Sequence, residues 1–192
     1  MKLTAVIVAT LTAAAFTFSP ARAGADGHVN FFLGQKSLNS GDWKPLESQI
    51  EFGAVMSFGQ DDWPAHIAAD VLTSVDQEIL NVTITASTFE LDAGVRKIWK
   101  AGKARPYLGG GIGIIGAALQ GDVNYVSVDA SDASIGLWAD TGVFFRLGSH
   151  FNIGLDLRYS SADVDLDFGY GAVAQDVNAG GFSYGLLLGF GW

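Results

Sequence analysis

Apolar residues recur at every second position along six long segments of this chain. Ile50, Phe52, Ala54, Met56 and Phe58 alternate with Gln49, Glu51, Gly53, Val55 and Ser57. The same rhythm runs through Ile67 to Val75, Phe89 to Trp99, Ile135 to Leu147, Phe151 to Tyr159 and Phe182 to Trp192. Two weaker segments, Val29 to Leu33 and Leu108 to Ala118, bring the set to eight. A helix repeats every 3.6 residues, whereas alternate positions of a strand face opposite sides of a sheet. The expected fold class is therefore all-β. Most segments run about ten residues or longer, beyond the usual five or six of globular strands.

The connectors alternate in length. Short ones fall at Gln60 to Pro64, Lys100 to Ala104 and Gly148 to His150. Longer ones fall at Ser37 to Leu46, near Asp76 to Asn81, at Gly121 to Ala133 and at Ser161 to Gly180. An even strand count, long strands and turns short at one end describe an eight-stranded antiparallel up-and-down transmembrane β-barrel. One face of the alternation is apolar. The other carries Glu51, Asp70, Glu90, Asp92, Arg96, Asp140, Arg146, Asp156 and Arg158, diluted with glycine and serine. Eight strands enclose a space that side chains just fill. Those nine residues are expected to form a paired polar core in the lumen, with the apolar set facing lipid. A soluble barrel would put the apolar face inside. A conducting path along the same ions is the alternative to a closed core.

Composition agrees with this sorting. Charged residues make up 16% of the chain, against about a quarter in soluble domains. No cysteine is present, which excludes disulfides and thiol ligands. A net charge of −9 argues against nucleic-acid partners, which need a positive footprint. The glycine-apolar stretch Tyr107 to Leu119 is about 13 residues long with five glycines, too short and too glycine-rich for a membrane helix. It also lacks the Gly-Lys-Ser/Thr ending of a phosphate loop. Glycines there are expected to make room for large inward neighbours such as Trp138. Trp43, Trp63, Trp99, Phe190 and Trp192 fall near strand ends and read as an interfacial girdle. At the start, Lys2, the apolar run Leu3 to Phe18 and Ala21-Arg22-Ala23 have the three parts of a secretory signal peptide. Cleavage is expected after Ala23, leaving residues 24–192 as one barrel domain.

Two motifs carry a family resemblance across the expected mature chain. The ending Tyr184-Gly185-Leu186-Leu187-Leu188-Gly189-Phe190-Gly191-Trp192 resembles the insertion signal of Gram-negative outer-membrane barrels, although that pattern has glycine where this chain has Leu187. Arg105-Pro106-Tyr107-Leu108-Gly109-Gly110-Gly111-Ile112-Gly113 resembles the PYxGxGxG strand of the OmpA, OmpW and opacity-protein superfamily. The resemblance implies an outer-membrane location and contact with lipid and lipopolysaccharide. It also implies recognition of Tyr184, Leu186, Leu188, Phe190 and Trp192 by the barrel-assembly machinery.

Chemistry-bearing motifs are sparse. Asp163, Asp165 and Asp167 invite a calcium reading, but an EF-hand loop needs glycine at its sixth position and glutamate at its twelfth. Phe168 and Ala174 stand there. The segment reads instead as a β-extension, with a bulge near Ser160 to Ala162 because Val164, Leu166 and Phe168 have opposite parity to Leu157 and Tyr159. Weak divalent-cation binding at Asp163, Asp165, Asp167 and Asp176 is a lesser expectation. His66, Asp70 and Ser74 share a strand face, but at ~3.3 Å per residue each step of four spans roughly 13 Å, too far for a relay. His28 and His150 complete the histidines. No catalytic, cofactor or metal residue is expected. The function expected is a non-enzymatic role in membrane structure, surface interaction or porin-like passage of small solutes. The alternatives are an OmpW-like conduit for small hydrophobic molecules and a lipid A-modifying enzyme.

Overall fold

The computed structural model describes residues 25–60, 62–79, 83–123, 126–168 and 173–192. The leader read at residues 1–23 lies outside the described residues. Ten strands and one short helix follow in order: β1 Ala25–Ser37, α1 Ser40–Trp43, β2 Ser48–Gln60, β3 His66–Ile79, β4 Thr83–Ile98, β5 Ala104–Val123, β6 Val126–Leu147, β7 Phe151–Ser161, β8 Asp163–Asp167, β9 Val173–Asn178 and β10 Gly181–Gly191. Eight of them close into an antiparallel barrel in the order β1-β10-β7-β6-β5-β4-β3-β2. The seam joins β1 to β10, with Phe31 opposite Leu188 and Lys36 opposite Ser183. Closure pairs the first strand with the last and removes both sheet edges. β8 and β9 form a separate two-stranded hairpin.

The period-two pattern becomes two surfaces. Phe31, Leu33, Ile67, Val71, Leu91, Val95, Ile112, Leu137, Leu155 and Leu186 are exposed on the outer wall. Among the described residues no helix is long and apolar enough to cross a membrane; the apolar wall is built from strands. Two buried apolar clusters lie inside. Phe32, Val55, Leu72, Ile98, Tyr107, Phe144 and Leu187 form one. The lumen is thus not uniformly polar, and Leu187 fills it where the resembling families have glycine.

The loops differ most from the sequence reading. Gly121 to Ala133 is largely strand, since β5 reaches Val123 and β6 begins at Val126. β3 likewise runs on to Ile79. These strands stand taller than their neighbours across the barrel. The parity shift expected near Ser160 to Ala162 does not occur. Asn152, Asp156, Arg158, Ser160, Ala162, Val164 and Leu166 are all buried, so even positions face inward without interruption. The reason is that Val164 and Leu166 turn inward to a cap rather than outward to lipid. The register irregularity lies later, between Val164 and Leu166 on the β8–β9 pairing. The second apolar cluster is that cap: Leu38, Trp43, Leu46, Ala86, Ile115, Ala117, Ala130, Ala162, Val164, Leu166, Val177 and Ala179. Trp43 is 3% exposed there, so it is a cap residue and not part of an interfacial girdle. Trp63, Trp99 and Phe190 are exposed.

Glycines face inward where the interior is fullest. A Cβ on Gly109 would run into the Asp140 carboxylate and one on Gly113 into that of Asp92. At Gly94 it would stand 2.8 Å from Cζ2 of Trp138. Overpacking a filled core costs about 1–3 kcal/mol. Gly94→Val is expected to lower the urea midpoint of the refolded barrel by a corresponding amount. The unboiled, faster-migrating band of the parent on an SDS gel should weaken in parallel.

Candidate functional site

The inward side chains of β3, β4, β6 and β7 meet in one charged network. Arg96 donates from Nε to Asp140 Oδ2 at 3.0 Å and from Nη2 to Asp70 Oδ2 at 2.7 Å. Its Nη1 reaches Ser57 Oγ at 2.9 Å and the Met56 carbonyl at 3.1 Å. Arg158 donates from Nη1 to Asp92 Oδ2 at 2.5 Å and from Nη2 to Asp70. The Tyr107 hydroxyl donates to Asp156. Both guanidinium groups lie against Trp138, with Arg158 4.8 Å and Arg96 5.6 Å from its ring centroid. Trp138 is held in turn by its indole N–H, shared between the carbonyls of Ala93 at 3.3 Å and Ile112 at 3.2 Å. The cations therefore have carboxylates at their edges and an aromatic face beside them, an arrangement that offsets the cost of removing charge from water.

A second network lies toward the long-strand end. Lys36 Nζ donates to Glu90 Oε1 at 2.5 Å and Thr88 Oγ1 at 3.1 Å. Ser160 also donates to Glu90, at 2.6 Å, and Ser74 links Gln49 to Thr88. Above it the cap is pinned by polar ties. Trp43 Nε1 donates to the Asn178 carbonyl at 2.7 Å, Ser134 Oγ to the Asp163 carbonyl at 2.7 Å, and the Asp165 N–H to Asp132 Oδ2 at 2.8 Å. At the short-turn mouth Asp26 lies near Lys100 at 3.0 Å, the imidazoles of His28 at 3.4 Å and His66 at 3.5 Å, and Arg146 at 3.9 Å.

No protein-family model matches the chain, and no curated protein matches it. Solved structures do. Ail, the attachment invasion locus protein of Yersinia pestis, crystallised with the heparin analogue sucrose octasulfate, superposes with a TM-score of 0.61 at 14% identity, over 88% of this chain and 99% of that one. Neisserial surface protein A gives 0.52 at 17% identity, over 86% and 97%. The fold is that of the small eight-stranded outer-membrane barrels.

Within this barrel Glu51, Asp70, Glu90, Asp92, Arg96, Asp140, Asp156 and Arg158 are all buried. Arg146 stands apart at the mouth, its side chain 22% exposed. Arg96, Arg158, Asp70, Asp92 and Asp140 share the central network. Glu51 is buried, with neither carboxylate oxygen hydrogen-bonded among the described residues. Tyr184, Leu186, Leu188 and Phe190 project outward along β10, and Trp192 is half-buried at its end. Sequence reasoning missed Lys36, Tyr107 and the Asp26 mouth. Lys36 lies on the inward parity of β1, beyond the point where the apolar alternation stops at Leu33. His66, Asp70 and Ser74 separate into the mouth, central and upper networks. Among the described residues no group of three or more His, Asp or Glu is arranged to hold a metal ion, the acids of β8 and β9 included.

Removing one partner of a buried ion pair typically costs about 3–5 kcal/mol. Arg158→Ala is expected to destabilise the refolded barrel by about that much in urea unfolding, because Asp70 and Asp92 lose a cation together. On the tall outer part of β6, the Asp165 N–H and then that of Ala133 hold the Asp132 carboxyl below the ordinary aspartate value of 3.8. A lowered folded-state pKa contributes stability that is present above the unfolded value and lost as pH falls. The protection factor of the Asp165 amide, taken against the intrinsic exchange rate at each pH, should therefore fall as the pH is taken below roughly 4.

Proposed function

We propose that this chain resides in the outer membrane of a Gram-negative bacterium as a closed, non-enzymatic barrel whose role is surface interaction. One observation carries the reading: the lumen is occupied from the Asp26 mouth, through the Arg96–Arg158–Trp138 network, to the apolar cap. A path for solutes would have to break paired guanidinium groups or lift the cap. The short turns and the Asp26 mouth face the periplasm, and the taller strands with the β8–β9 hairpin stand outside, following the usual asymmetry of such barrels. The separation of His66, Asp70 and Ser74 supports a non-enzymatic reading, since hydrolysis needs nucleophile, base and carboxylate within hydrogen-bond reach.

The outer end has a charge that narrows its partners. Residues 38–47, 76–87, 117–134 and 161–181 contain one basic residue, Lys44. The same segments carry Asp42, Glu47, Asp76, Glu78, Asp122, Asp129, Asp132, Asp163, Asp165, Asp167 and Asp176. Like charges facing one another suppress association. Sulfated glycans of the kind bound by Ail are therefore disfavoured here, and cationic surfaces are favoured.

Two measurements test this. In planar bilayers the purified barrel should give no discrete channel steps, whereas Trp138→Ala combined with Arg158→Ala should give them; stepwise conductance from the parent chain would overturn the closed reading. On immobilised heparin the barrel should elute in the void at physiological salt; retention there would overturn the charge argument.

A further inference from the structure

We propose that the β4–β5 turn is a docking site for the headgroup of an anionic phospholipid. The inference rests on the membrane orientation given above and concerns the opposite end of the barrel. Lys97, Lys100, Lys103 and Arg105 all fall between the end of β4 and the start of β5. A tight turn holds them together: the Ala101 and Ala104 amides exchange hydrogen bonds at 3.0 and 3.1 Å, and Gly102 supplies the left-handed φ of 66°. Arg146 joins the group, since its backbone N–H donates to the Lys103 carbonyl at 2.9 Å.

Most of this charge is not neutralised by protein. Lys100 pairs with Asp26, and the remaining Asp26 contacts go to His28, His66 and Arg146. Lys97, Lys103 and Arg105 make no ion pair among the described residues. Arg105 spends its Nη1 on the carbonyls of Gly102 at 2.5 Å and Ala104 at 3.2 Å. That bond holds the guanidinium at the turn and leaves its charge uncompensated.

The position selects a lipid over a soluble anion. Lys97 continues the outward-facing stripe of Leu91, Ala93 and Val95, and it pairs in register with Leu108, itself 57% exposed. A lysine there lays its aliphatic stem along apolar wall and lifts its ammonium to the headgroup level. Trp99, the next outward residue, is exposed at the same edge, where an indole marks the boundary between acyl chains and headgroups. Lys103 is exposed in the turn itself, and Arg105, on the inward parity of β5 opposite Phe144, holds its guanidinium at the Gly102 carbonyl on the aqueous rim of the same edge. Zwitterionic headgroups would cancel much of the attraction, whereas a net-negative headgroup keeps all of it.

The test uses the whole folded barrel in vesicles of phosphatidylcholine alone and of phosphatidylcholine mixed with phosphatidylglycerol. Insertion is checked in both by the heat-dependent gel shift, and bound lipid is read by native mass spectrometry after extraction. The parent should retain phosphatidylglycerol severalfold over phosphatidylcholine, and raised salt should diminish the preference. The triple change Lys97→Gln, Lys103→Gln and Arg105→Gln should abolish the preference while the gel shift persists. Equal retention of the two lipids by an inserted barrel, or an unchanged preference in the triple variant, would overturn the site and leave the membrane reading intact. Loss of the preference on adding inorganic phosphate at constant ionic strength would also overturn it, in favour of a free-phosphate site. Failure to insert in either vesicle would defeat the membrane reading and this site with it.

Discussion

Two guanidinium groups buried inside a closed barrel dictate much of what surrounds them. Arg96 and Arg158 are each about 2% exposed or less on their side chains. Such charge is tolerated only when paired and hydrogen-bonded from several sides. Asp70, Asp92 and Asp140 supply the pairing from three strands, and Trp138 supplies a flat face. That ring and those carboxylates need space in a narrow lumen. Gly94, Gly109 and Gly113 give it by carrying no Cβ. The glycine abundance of β5 and the charge pattern of β3, β4, β6 and β7 are therefore two sides of one packing problem.

The barrel was legible because strand parity is strict and local. Each of Asp70, Glu90, Asp92, Arg96, Asp140, Asp156 and Arg158 interrupts an apolar rhythm, and each interruption points inward. Lys36 was not legible because the rhythm of β1 fades after Leu33, with Gly34, Gln35 and Ser37 giving no apolar contrast. Trp43 was misplaced for a different reason. A tryptophan near a strand end fits a lipid interface by composition, but its burial depends on Asn178 and Val177 arriving from far along the chain. The same long-range packing turned Val164 and Leu166 inward with no change of parity near Ser160 to Ala162. Pairings across the lumen, such as Arg158 with both Asp70 and Asp92, are invisible to periodicity, which fixes a face and not a partner.

Ail and this chain show how loosely such a fold constrains sequence. A TM-score of 0.61 at 14% identity means a shared wall on which little else is shared. Function on a common scaffold resides in the groups grafted onto it. Here those groups are sorted by end: carboxylates crowd the taller strands and the hairpin, while unpaired lysine and arginine collect at the β4–β5 turn. The barrel is thereby a strongly polarised object along its own axis.

The seam between β1 and β10 has a kinetic side. Seven of the barrel's eight strand contacts join hairpin neighbours or, for β7 and β10, strands separated by one small hairpin. The eighth joins His28 to Gly191 and Ser37 to Phe182, across nearly the whole described chain. Contacts of that separation are the slowest to form, because loop entropy must be lost before they reward it. Until β10 arrives, β1 presents an open edge and the charged interior has a missing wall. The last strand therefore completes the wall, and the buried ion pairs are fully secluded from water only once β10 has closed onto β1.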